Sequence, residues 1–179
     1  MKLQTANSLF QSTAINVASL IAFIFTATFL GWLFDYDIKE ILIKESLGET
    51  VHAAGLLIAF ISISSIYIIE LVEIKNNSSK NCIYYVLKKF LIGVFGYTYA
   101  LPVAFIIGPL IISSNHNYLL WISTLAVIVF IPLMNYGVQG VRKSKSEHKY
   151  TLLSTFLILI NILIIIAIVY MSYRVLTQP

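Results

Sequence analysis

The chain has 179 residues, of which 59% are hydrophobic and only 11% charged, against about 45–50% and about 25% in soluble domains. One domain is expected at this length, and a soluble fold of that size has too little interior to hide so much apolar surface, so the excess faces lipid. A net charge of +4 beside apolar runs records topology rather than nucleic-acid binding, and the lone Cys82 excludes an intrachain disulfide or a CxxC pair.

Five apolar runs are long enough to cross about 30 Å of hydrocarbon as helices: Ala14–Phe34, Val51–Glu73, Phe90–Ile112, Tyr118–Gly140 and Leu152–Tyr173. Backbone groups in lipid must be satisfied within the segment, which favours helices over strands. The expected fold is therefore an all-α, polytopic transmembrane bundle of five spans forming one domain over residues 1–179. The first run follows a single Lys2, is long, and leads into Trp32 and Asp35-Tyr36-Asp37 rather than a small-residue cleavage site. It reads as a retained signal-anchor.

The charges between the runs are sorted by sign. Residues 35–50 hold Asp35, Asp37, Glu40, Glu45 and Glu49 against two lysines, whereas residues 75–89 hold four lysines and no acid. Residues 142–149 hold four bases and Glu147. By the positive-inside rule the second and fourth connections are cytoplasmic, so the N-terminus is inside and the C-terminus outside. The ten lysines to two arginines, with abundant Ile, fit an AT-rich bacterial genome, and a bacterial inner membrane is the expected location. Tyr36, Tyr84, Tyr85, Tyr118, Trp121 and Tyr173 fall where aromatic belts form. Ile38, Ile41, Leu42 and Leu47, with charges between them, give residues 36–50 the spacing of an amphipathic surface helix.

In lipid, helices associate through close packing and polar contacts. The third run carries Gly96, Ala100, Ala104 and Gly108 at successive i+4 positions, a row of small residues on one face. The second carries Gly55 and Ala59 in the same relation. Pro102 and Pro109 fall in the third run and Pro132 in the fourth, each removing a backbone donor. Polar residues also share faces: Ser12, Asn16 and Ser19; Asn135 and Gln139; Ser154 and Asn161. Such side chains serve as interhelical hydrogen-bonding groups, or line a polar path if their stripes converge.

Ionisable residues inside a membrane are functional candidates. Glu70 and Glu73 sit on one face at the inner end of the second run, as a proton or cation site or as ion-pair partners for lysines such as Lys88. His52 precedes Glu70 by eighteen residues, five whole turns, so the two point the same way roughly 27 Å apart. Glu49 and His52 have E-x-x-H spacing, and with His116 they form a possible Zn, Cu or haem site if the outer loops meet. Only one copy of the spacing exists. Ser62, Ser64 and Ser65 have no His at comparable depth, and no phosphate loop or HExxH is present.

The leading functional expectation is a non-catalytic subunit, or a partner-binding protein of accessory or immunity type, acting within the bilayer on other membrane subunits or on itself. A small transporter or ion- or proton-conducting oligomer is the second expectation, and a metal- or haem-binding membrane enzyme or redox subunit the third. No cofactor and no nucleic-acid partner is expected.

Overall fold

In a computed structural model the chain is described over residues 4–33, 45–76, 82–112, 118–144 and 146–177. These residues form five helices: α1 Gln4–Leu33, α2 Glu45–Lys75, α3 Cys82–Ile112, α4 Tyr118–Ser144 and α5 Glu147–Thr177. No strand occurs among the described residues. The helices contain 27 to 31 residues, or about 40–47 Å at 1.5 Å per residue. That matches a bilayer with its headgroup layers, about 40–45 Å, rather than the hydrocarbon alone.

The helices outrun the apolar segments. α1 begins ten residues before Ala14 because Ala6, Leu9 and Thr13 share one face, and Leu9 and Thr13 are buried. The polar residues Ser8, Gln11 and Ser12 between them mask that face in a hydropathy reading. α3 begins at Cys82 rather than Phe90, and it continues through Pro102 and Pro109 to Ile112. Residues 45–50, expected in a surface helix, are instead the opening turns of α2. The rest of that expected element, residues 36–44, lies outside the described residues.

Among the described residues, three helices contain stretches long and apolar enough to cross a membrane: His52–Lys75 of α2, Trp121–Ser144 of α4 and Glu147–Arg174 of α5. They are covered very unequally. In the most apolar eighteen residues of each stretch, 56% of the α2 residues are buried, but only 28% of those in α4 and 6% of those in α5. α2 is the central helix, packed against α3, α4 and α5, while α1 reaches the bundle mainly through α3.

Pairwise contacts give the directions. Gly55 of α2 meets Thr98 of α3, and Glu73 meets Lys88, so α2 and α3 are antiparallel. Ser64 meets Asn161 and Lys75 meets Tyr150, so α2 and α5 are antiparallel as well. Ser12 of α1 lies by Ile92 and Gly96, and Asn16 by Gly96, which sets the first half of α1 beside the first half of α3. Five helix ends thus gather at the lysine-rich end: the starts of α1, α3 and α5 and the finishes of α2 and α4.

The core is a set of heptad seams. On α4, Thr124, Val127, Ile131, Met134, Val138 and Val141 recur at alternating spacings of three and four, and all are buried. That repeat keeps one stripe of a helix turned toward its neighbour. α2 buries residues around most of its circumference, including Ala59, Ile63, Ile66, Tyr67 and Leu71, as a helix with three packed neighbours must.

Candidate functional site

The polar groups of the bundle form two layers. At the lysine-rich end, the last turn of α2 is tied to two helix starts. Lys88 of α3 donates to Glu73 Oε2 at 2.7 Å, with both side chains largely shielded. Lys75 Nζ lies 5.1 Å from the centre of the Tyr150 ring on α5, a cation–π contact. Glu70, one turn further into the bundle, is buried. Glu73 thus ties the end of α2 to the start of α3, and Lys75 ties it to the start of α5.

In the middle layer, two tyrosines grip α4. Tyr67 of α2 donates its hydroxyl to the Ile131 carbonyl at 3.1 Å, and Tyr99 of α3 donates to the Thr124 carbonyl at 2.9 Å. The two acceptors are seven residues apart, so they lie on the same stripe of α4. A buried tyrosine needs a partner for its hydroxyl, and here both find one on a neighbouring helix backbone. Phe95 stacks on Tyr99, centroids 5.3 Å apart, and Phe60 meets Phe130 edge-on at 5.4 Å. Ser64 Oγ, fully buried, contacts the Asn161 carboxamide of α5 and also bonds the Phe60 carbonyl at 2.8 Å. One hydroxyl has a single proton. Ser64 therefore shares its proton between two acceptors, the Asn161 Oδ1 of α5 and the Phe60 carbonyl of its own helix.

The close backbone approaches are at two glycines. A Cβ on Gly96 would lie 2.2 Å from Ser12 Oγ and 2.8 Å from Asn16 Nδ2. A Cβ on Gly55 would lie 2.9 Å from the Thr98 carbonyl oxygen. Thr98 is four residues before Pro102, so its carbonyl is the acceptor that proline leaves without a helical N–H. The Cα–H of Gly55 faces that oxygen, a weak contact that only a glycine permits. Residues 96 and 98 are about 200° apart around α3 at 100° per residue. The two glycines therefore serve opposite faces of α3, one toward α1 and the other toward α2.

The remaining sequence candidates are dispersed. Ala100 and Ala59 are buried. Ala104 and Gly108 are helical, but their side-chain surroundings lie outside the description. Asn135 and Gln139 are half-buried on α4. His52 is buried near the start of α2, at the opposite end of the bundle from Glu70, which is also buried. Glu49 is in the second turn of α2 with its side chain undescribed, and His116 lies outside the described residues, so their meeting with His52 is not part of the described structure. Among the described residues, no group of three His, Cys, Asp or Glu is placed to hold a metal ion.

No family model, no curated protein and no solved structure matches the chain. Chemically, the two polar layers and the two glycine contacts fasten helices to one another. The residues that sequence reasoning passed over are Tyr67 and Tyr99, and the available signal was a phenol in mid-span, where its hydroxyl must be satisfied by another helix.

Proposed function

We propose that the chain is a multi-pass protein of the bacterial inner membrane, with five spans, the N-terminus inside and the C-terminus outside. In this reading it acts as a non-catalytic subunit that binds another membrane protein through α5. Support for the topology comes from the alternating directions of consecutive helices and the gathering of Lys75, Lys88, Lys89, Arg142, Lys143 and Lys149 at one end, the positive-inside arrangement.

The observation that carries the functional reading is the unequal covering of α2 and α5. Both are long and apolar, yet only 6% of the residues in the most apolar eighteen of α5 are buried, against 56% in α2. α5 rests mainly on α2, through Tyr150 and Asn161, and touches α4 at Leu153, while Leu163, Ile166 and Val169 stand outward at 59–65% exposure. A helix so little covered has most of its circumference free for lipid or for a partner helix. Photo-crosslinking residues placed at Leu163 and Ile166 are expected to capture a discrete membrane protein in cells, while one at buried Ile63 captures none. Purification as a strict monomer, with only lipid adducts at Leu163 and Ile166, would remove this reading.

Conduction is the second reading, favoured by the buried His52 and Glu70 on the one central helix. Liposomes containing the protein would then pass protons or cations down a gradient, and Glu70→Gln would abolish the flux. Absence of flux from wild-type liposomes removes it.

A further inference from the structure

We propose that the outer stripe of α4, at its basic end, seats an anionic phospholipid. This rests on the membrane reading above but not on the identity of any protein partner. Val129, Leu133, Tyr136, Gly140 and Lys143 recur at spacings of four and three, on the side of α4 opposite its buried seam. Val129 and Leu133 are 64% and 57% exposed, and Tyr136, at 80%, is the most exposed large hydrophobic side chain described. Nothing lies within 4 Å of where a Gly140 Cβ would stand. Lys143 is exposed one turn further on. Along one line the helix thus offers an apolar track, a phenol, an open notch and a cation. That is the order of an acyl chain, an ester, a glycerol and a phosphate.

The charge around the stripe gives the headgroup its sign. Residues 70–90 and 140–150 contain eight bases and three acids. Of the acids, Glu73 is engaged by Lys88 at 2.7 Å, Glu70 is buried inside the bundle, and Glu147 stands exposed in the first turn of α5. Arg142 and Lys143 close α4, and Lys149 is exposed just across the short connection to α5. A cluster of bases at the cytoplasmic ends of spans favours anionic headgroups. A zwitterionic headgroup, with no net charge, gains nothing comparable.

Native mass spectrometry of the protein released from bilayer discs of equal phosphatidylglycerol and phosphatidylcholine tests this. Wild type is expected to retain phosphatidylglycerol preferentially. Each basic residue near the surface favours an anionic lipid about fivefold, so Arg142→Gln/Lys143→Gln is expected to lose at least tenfold of the enrichment. Arg142→Lys/Lys143→Arg, which keeps the charge, is expected to retain it, and Lys89→Gln on α3 to alter it less than the double variant. Equal retention of the two lipids by wild type overturns the proposal. So does undiminished enrichment in the neutral variant, or displacement of the lipid by millimolar inorganic phosphate, which would mark a site for free phosphate. Failure of wild type to enter the discs at all overturns the membrane reading along with it.

Discussion

Substitution of Gly96 by alanine probes the α1–α3 contact. The added Cβ would stand 2.2 Å from Ser12 Oγ, 2.8 Å from Asn16 Nδ2 and 3.1 Å from Ser12 Cβ. Rotation of Ser12 relieves the first of these but not the last, so α1 must also withdraw by several tenths of an ångström. Overpacking of this kind costs about 1–3 kcal/mol, offset by roughly 1 kcal/mol because alanine is the better helix former. Gly93 is one turn earlier on the same helix, and nothing lies within 4 Å of its Cβ position. Gly93→Ala takes the helix gain without the clash. The two variants should therefore differ by about 1–3 kcal/mol, with Gly96→Ala the less stable. Equilibrium unfolding in mixed micelles, followed by energy transfer between labels on α1 and α3, measures the difference. Ser12→Ala removes the atom nearest the clash, so the double variant Ser12→Ala/Gly96→Ala should recover part of the loss, and the shortfall from additivity is the coupling energy. Equal stability of Gly93→Ala and Gly96→Ala, with Ser12→Ala indifferent to either, would refute the close approach of α1 to α3.

Other consequences follow from the same contacts. At Gly55 the obstructing atom is a backbone carbonyl, 2.9 Å from the Cβ position, which no rotamer change relieves; Gly55→Ala is expected to cost about 1–3 kcal/mol in the same unfolding measurement, while Gly140→Ala, in open space, does not. Tyr67→Phe and Tyr99→Phe each delete one hydrogen bond to α4, a loss of about 0.6–1.5 kcal/mol apiece, and a cysteine crosslink between α3 and α4 should form less selectively in the Tyr99 variant. Glu73→Gln or Lys88→Gln should cost about 1.5–3 kcal/mol, and the exchange Glu73→Lys/Lys88→Glu should restore much of it; a double swap no better than the worse single variant counts against the pair.

The sequence shows helices, their approximate number and their lysine-rich end because those depend on composition and on charge sign. It shows the inner seam of α4 much less clearly. Val127, Ile131 and Met134 are inside, while Ile122, Leu125, Val129 and Leu133 are outside, and both sets are apolar. In water the outer set would be polar and the seam legible; in lipid the contrast vanishes. Small and polar residues are then the remaining guide. Gly96 and Gly55 stood out for that reason, but their counterparts, Ser12 on α1 and the Thr98 carbonyl on α3, depend on how the helices are arranged. The pairing of Ser64 with Asn161 was hidden similarly: each was visible as a polar residue in an apolar run, and neither names its partner across 97 positions. The early start of α1 was missed because its packing face, Ala6, Leu9 and Thr13, is short and interrupted by polar residues.

The central claim is a membrane bundle whose basic end lies inside the cell, and the chain carries its own reporter. Cys82, its one cysteine, is exposed at the start of α3, beside the lysines. Treatment of intact spheroplasts with a membrane-impermeant maleimide should leave Cys82 unlabelled until the membrane is opened, whereas Thr177→Cys in a Cys82→Ser background should be labelled at once. Labelling of Cys82 in intact cells, or protection of position 177, would contradict the account.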